Sequence, residues 1–174
     1  MRRLLLVLFV LLCGVEGAVF VAPVRAGSDA FFNATTDNLQ RLLVQAQQEH
    51  KGILVLFEMA GCGECRKVKE TILRDPAVQN YYRQHFLSIS LNLSSFAPLT
   101  DFKGDAITPT VLAMNHRVQA SPTFVFFDAS GQPVTRFTGP IQDPAEFLQL
   151  GRYVAEGGYE TAPFRAYQRQ AGGQ

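Results

Sequence analysis

Apolar positions along the chain fall into blocks whose spacing switches between helical and strand-like. Leu39, Leu42, Leu43 and Ala46 recur at i, i+3, i+4 and i+7. That single stripe predicts a helix capped by Thr35 or Thr36, running to about His50 and ended by Lys51-Gly52. Ile53 to Phe57 is apolar without alternation, the pattern of a strand buried on both faces. After Met59-Ala60-Gly61 the period becomes helical again: over Arg66 to Leu73, Val68 and Ile72 share a face with Cys65, while Arg66, Lys67 and Glu70 point outward. Asp75-Pro76 breaks this helix, and Pro76 suits the first position of a second piece ending near Gln84.

Phe86 to Leu91 predicts the next strand, and Thr123 to Phe127 another, its phenylalanines belonging to the core. Between them lie a polar insertion, Asn92 to Asp105, and a short helix opened by Thr108-Pro109 with Val111, Leu112 and Met114 available to pack. A loop as long as 92–105 is expected to be functional, mobile or partly structured. Val118 to Ser121 is extended and leads into Pro122. Asp128 to Gly131 turns the chain, and Pro133 to Phe137 returns antiparallel, with Pro133 tolerable on an edge. Asp143-Pro144 starts a helix through Phe147, Leu148, Leu150 and Val154 that Gly157-Gly158 ends. Residues 27–34 read as a loose leading segment anchored by Phe31 and Phe32, and Pro163 to about Arg169 as a poorly tethered last helix. The order α, β, α, β, α, β, β, α predicts an α/β domain: one mixed sheet with helices on both faces.

The first 26 residues follow a different pattern. Arg2 and Arg3 precede an unbroken apolar run, Leu4 to Leu12, and Val24-Arg25-Ala26 offers a cleavage point, which together read as a secretory signal peptide. Glu16 interrupts the apolar stretch, so an uncleaved anchor is the lesser alternative. Cys13 does not suit a lipid-anchor site, because bulky Leu12 precedes it. Removal of the leader takes away Arg2, Arg3 and Arg25 against Glu16, which moves the net charge from +1 to −1. With no basic excess and no Lys/Arg run, nucleic acid is excluded as an expected partner. Asn33-Ala34-Thr35 and Asn92-Leu93-Ser94 match the glycosylation sequon, a match short enough to arise by chance.

Of three cysteines only Cys62 and Cys65 survive cleavage. They stand in Cys62-Gly63-Glu64-Cys65, between the strand ending at Phe57 and the helix that follows. A helix N-terminus offers unpaired N–H donors and partial positive charge, both of which favour a thiolate at Cys62. Cys65, one turn on, is close enough to close a disulfide. A ring that small constrains the unfolded chain little, so the pair is better explained by chemistry than by stapling. Two thiolates also suit a soft metal, but a closed zinc site wants four ligands, there is no second CxxC, and nothing in the spacing of His116 brings it in. His50, His85 and His116 lie near element ends and are expected at the surface. Glu64 beside Cys62 either raises its pKa or is a solvated side chain, while Arg66 and Lys67 oppose that effect. Glu58 is either a proton shuttle beneath the dithiol or a strand-end residue reaching water.

The strand–CxxC–helix unit, the Ser121-Pro122-Thr123 tripeptide opening an apolar strand, and the closing hairpin and helix resemble a thioredoxin fold over about residues 35–156. Phe57-Glu58 before Gly61-Cys62, Asp75-Pro76-Ala77-Val78, Thr100-Asp101-Phe102 through Gly104, and Thr123 to Asp128 look most like the SoxW-type periplasmic thioredoxin-related proteins. The resemblance implies one thioredoxin-like domain over 27–174, with 92–105 as its insertion, an exposed nucleophile at Cys62, a resolving thiol at Cys65, and a cis peptide before Pro122 beside the sulfurs. Gly63, Glu64, Pro122 and Glu58 would support them. Two positions depart from the thioredoxin pattern: Gly61 stands where Trp is usual, and Leu56 where a buried Asp assists proton transfer, with Glu58 two residues on.

The resulting expectation is an exported, monomeric thiol–disulfide oxidoreductase of the periplasm, most simply a reductase, acting on protein disulfides or dithiols. It would use the Cys62/Cys65 disulfide in place of any organic cofactor and be re-reduced by a membrane electron donor. The rivals are a thiolate-based metal-binding or delivery module and a non-catalytic interaction domain using 92–105. Intact-mass analysis of the exported protein is expected to show a chain beginning at Gly27; a full-length, membrane-retained product would instead establish the anchor.

Overall fold

The computed structural model describes residues 30–141 and 143–171; the expected leader with its cleavage point, and Cys13, lie outside them. Strand β1 (Gly52–Glu58) is central. It pairs parallel with β2 (Phe86–Asn92) and antiparallel with β5 (Thr123–Phe127), which pairs antiparallel with β6 (Pro133–Thr138), giving the order β2-β1-β5-β6. The chain passes from β1 to β2 through α2 (Gly63–Thr71) and α3 (Pro76–His85), as a parallel pair requires. α1 (Leu39–Glu49) precedes β1, α4 (Pro109–Asn115) precedes β5, and α5 (Pro144–Ala155) follows β6. This is the mixed sheet with two helical layers that the apolar pattern predicts.

The faces of the sheet follow residue parity. Leu54, Leu56, Phe124 and Phe126 pack with Val68, Ile72, Val78, Tyr82, Phe147 and Leu150 of α2, α3 and α5. Ile53, Val55, Val125 and Phe127 pack with Leu39, Leu42, Ala46, Leu112 and Ala113 of α1 and α4. Every residue from Ile53 to Phe57 is 0% exposed, so an unalternated run was the only pattern this strand could carry.

Several boundaries differ from expectation. α1 starts two or three residues later than a Thr36 or Thr35 cap would place it: Asn38 is the cap, its Oδ1 accepting from the Arg41 N–H at 2.9 Å, while the Thr36 hydroxyl accepts from the Asn38 N–H. The helix ends through His50 in the left-handed region (φ 54°) rather than through Gly52. Gly52 belongs to β1, where a Cβ would lie 3.1 Å from the Phe86 ring and 3.2 Å from the Phe127 carbonyl. In α4, Ala113 is buried and Met114 is 63% exposed, so Met114 is not a packing residue. The insertion is partly structured: β3 (Leu99–Thr100) and β4 (Ala106–Ile107) pair antiparallel around a turn in which the Asp101 carboxylate accepts from the Lys103 and Asp105 N–H groups. The Thr100 N–H donates to the Asp37 carbonyl, tying the insertion to the start of α1.

The two end segments are held more firmly than expected. Phe31 is fully buried against Tyr82 and Phe147. The Asn33 side chain donates to the Phe86 carbonyl and accepts from the Ser88 N–H, which commits the first sequon asparagine to the sheet edge. α6 (Phe164–Ala171) packs Phe164 and Tyr167 against Tyr153, whose hydroxyl donates to the Ala162 carbonyl.

Where α3 crosses α5, Gly151 makes room for Tyr82: an added Cβ would lie 2.9 Å from that ring. Tyr82 cannot yield, being stacked on Phe147 at 4.4 Å with its hydroxyl donating to the Phe147 carbonyl. Gly151→Ala gains about 1 kcal/mol of helix propensity against an overpacking cost of about 1–3 kcal/mol. The expected net is destabilisation, read as a lower urea midpoint at unchanged slope.

Candidate active site

The C-terminal end of β1 delivers the chain into the cysteine pair. Glu58 ends the strand, Gly61 turns the chain in the left-handed region (φ 76°), and the Cys62 N–H closes the turn onto the Met59 carbonyl at 3.2 Å. Cys62 is the N-cap of α2, so that helix starts at Gly63, three residues before the predicted Arg66. The Cys62 Sγ accepts from the Cys65 N–H at 3.1 Å, and its carbonyl accepts from the Arg66 N–H. Sulfur here takes the place that a serine or aspartate oxygen takes at other caps, and the same N–H is available to a thiolate after reduction.

The two cysteines form a disulfide with Cα atoms 5.3 Å apart. Their environments differ. Cys65 is 2% exposed on the inner side of α2 with Val68 and Ile72. Cys62 is half-buried and opens onto a cleft of about 380 Å³. Gly63 and Glu64 are exposed, with open space around the Gly63 Cα, and Glu64 makes no ion pair among the described residues. A groove of about 790 Å³ lined by residues of α5 and α6 contains neither cysteine.

Pro122 lies at the same end of the sheet. Thr123 pairs with Phe57, which places the buried Pro122 beyond it, level with Glu58. The Ser121–Pro122 peptide is cis. The Pro122 carbonyl accepts from the Gly139 N–H, and the Thr123 hydroxyl donates to the Ala120 carbonyl.

Glu58 and Leu56 are two residues apart on one strand and so share a face. Leu56 is sealed in the core, whereas Glu58 emerges at its rim. Glu58 Oε1 accepts from Lys69 Nζ at 2.5 Å and from the Ser90 hydroxyl at 2.6 Å, and both charged side chains keep about a fifth to a quarter of their surface in water (20% and 26%). Lys69 Nζ also lies 5.6 Å from the centroid of the Phe32 ring. Neither Lys69 nor Ser90 was among the expected site residues. The signal for Lys69 was its place on α2 one helical turn beyond Cys65; Ser90 carried none until β2 was registered against β1.

The histidines stand apart from the sulfurs. His50 is exposed, and the His85 ring lies tilted against Tyr81 with centroids 4.3 Å apart. His116 ends α4, edge-on to Phe127 at 4.9 Å, and burial pushes its imidazole below the usual histidine range. Phe127 pairs with Ile53, at the opposite end of β1 from Glu58, so His116 is no third ligand for the thiolates. Among the described residues no group of three or more His, Cys, Asp or Glu side chains is arranged to hold a metal ion.

A sheet of this order, with a cysteine pair capping the helix after its central strand and a cis-proline at the same end, defines a thioredoxin fold. The chain belongs to the thioredoxin-like domain family, whose sequence pattern matches residues 39–155. No curated protein matches it. Among solved structures it is similar to a thioredoxin-fold protein from Helicobacter pylori, with 20% identity, 84% of this chain and 94% of that one covered, and a TM-score of 0.67. It is also similar to a thioredoxin from Thermus thermophilus, with 27% identity, 68% and 84% covered, and a TM-score of 0.54. A putative disulphide-isomerase from Bacteroides thetaiotaomicron shares 24% identity over 72% of this chain and 91% of that one, with a TM-score of 0.56.

The Glu58–Lys69 pair is expected to couple measurably because both ends are partly shielded. In a double-mutant cycle of Glu58→Gln and Lys69→Met, denaturation is expected to give a coupling energy of about 0.5–1 kcal/mol. In half-molar salt it should shrink. Additive single effects at low salt would show the pair to be energetically silent.

Proposed function

We propose that this protein is an exported thiol–disulfide oxidoreductase that reduces protein disulfides. The observation that carries this reading is the asymmetry of the sulfurs: Cys62 caps a helix and opens onto a cleft, while Cys65 is buried behind it. Family membership and the likeness to the Thermus thermophilus thioredoxin support the same chemistry.

The reaction runs in two exchanges. Deprotonated Cys62 attacks one sulfur of the substrate disulfide, forming a mixed disulfide and expelling the other sulfur as a thiolate. Cys65, deprotonated, then attacks the Cys62 sulfur and expels the second substrate thiolate, closing the Cys62–Cys65 disulfide. Two electrons pass to the substrate, and its two thiolates take up two protons. The dithiol itself carries the electrons, so no organic cofactor enters.

Glu58 is the candidate proton acceptor. Its hydrogen bonds both fall on Oε1, and Oε2 has no partner among the described residues. It takes over at the strand end from the aspartate that Leu56 replaces. Glu64, beside Cys62 in the exposed first turn, works against the thiolate, which favours the disulfide form and hence a reducing couple. The leader-like first 26 residues and the SoxW-type motifs favour work in the periplasm, with a membrane electron carrier restoring the dithiol.

A glutathione-buffered titration is expected to place the couple nearer the roughly −270 mV of thioredoxin than the roughly −120 mV of DsbA. Cys62→Ser should abolish insulin-disulfide reduction, and Cys65→Ser should accumulate a mixed disulfide visible on non-reducing gels. Trapping by Cys62→Ser instead would reverse the two roles, and a potential near that of DsbA would make the protein an oxidant.

A further inference from the structure

Cys62 begins a row of residues at four-residue intervals: Cys62, Arg66, Glu70, Arg74. Cys62 caps α2, Arg66 and Glu70 follow on the same side of it, and Arg74 lies in the turn after the helix. All four line the cleft onto which Cys62 opens, together with Glu58 and Lys69. The charges there do not cancel. Glu58 and Lys69 neutralise each other in their 2.5 Å pair. Glu70 lies four residues from each arginine, yet forms an ion pair with neither, and among the described residues Arg66 and Arg74 are in no ion pair at all. Both arginines are exposed, so two guanidinium groups face the cleft against one carboxylate. Glu64 and Lys67, the other charges on α2, do not line it. This local excess stands out in a chain whose formal net charge is only +1.

We infer that this cleft selects disulfides flanked by acidic residues, so that the substrates are acidic polypeptide segments presented in extended form; the inference rests on the reductase activity proposed above. Guanidinium is planar and forked and meets a carboxylate through two parallel hydrogen bonds. The spacing sets where those carboxylates belong. Helical rise puts Arg66 about 6 Å along α2 from Cys62, and Arg74, in the turn that follows α2, lies farther along the same cleft. An extended chain advances about 3.3 Å per residue. The carboxylate matching Arg66 therefore lies about two residues from the cysteine under attack, and the one matching Arg74 lies farther along the same segment.

The test uses the reduced protein and synthetic peptides carrying one cysteine as its 2-pyridyl disulfide. Asp, Gln or Lys is placed two and five residues from that cysteine on both sides. Cys62 attack expels pyridine-2-thione, whose absorbance reports the rate. At low ionic strength the second-order rate constant for thione release is expected to fall about fivefold from the Asp to the Gln peptide, and further for Lys. The differences should collapse in half-molar salt. In the double variant Arg66→Gln/Arg74→Gln the Asp-to-Lys rate ratio should approach one. That ratio is unaffected by any change the variant makes in Cys62 reactivity, because such a change scales all three peptides alike. Equal rates for the three peptides with wild-type protein that still reduces the neutral 2-hydroxyethyl disulfide would overturn the inference and leave the reductase reading standing. Failure to reduce any of these disulfides would overturn both.

Discussion

Strand β1 has no face to give to water, and the rest of the molecule is arranged around that constraint. Its five central residues are completely enclosed, so the sheet needs a helical layer on each side and a hydrogen-bonded neighbour on each edge. The crossover through α2 and α3 supplies one layer and the parallel neighbour in a single connection. A strand so enclosed can release the chain to solvent only at its end. The cysteine pair sits on the first turn after that end, where a half-exposed sulfur and a buried one are a single helical turn apart.

Polar chemistry is graded along the same face. Leu54 and Leu56 are sealed, and Glu58, two residues further, meets Lys69 and Ser90 at the rim. Two residues deeper on β2 than Ser90, the Ser88 hydroxyl is buried with no hydrogen-bond partner among the described residues. A hydroxyl in that position costs desolvation without return, whereas a carboxylate there would cost several times more. At the rim the Glu58 carboxylate keeps contact with water and is satisfied by Lys69 and the Ser90 hydroxyl.

The fold was legible because its signals were strong and local: an unbroken apolar run for β1, a 3.6-residue stripe on α1, Pro at the starts of α3, α4 and α5, and a turn-punctuated hairpin. The misplaced features depend on which of several adequate residues wins. Thr35, Thr36 and Asn38 are all acceptable caps, and only the bridge from Asn38 to Thr100 of the insertion decides among them. Met114 and Ala113 differ by about 100° around a helix of seven residues, too short a stretch for the pattern to choose between them. At the site, the cysteines were evident from their spacing. The cluster of Glu58, Lys69 and Ser90 was not, because it joins β1, α2 and β2, whose register only the folded sheet sets.

The Asn33 side chain lies along the outer edge of β2 as a substitute for a strand: its amide satisfies the Phe86 carbonyl and the Ser88 N–H, and the Ala34 N–H bonds the Ser88 carbonyl. The far edge, β6, carries Pro133 and the exposed side of a short strand. Open ladders invite other chains to join them. With the β2 edge stapled by an asparagine, an extended polypeptide arriving at this molecule finds free ladder along the short β6 edge rather than along β2, and the asparagine keeps the β2 edge of one copy from polymerising onto the next.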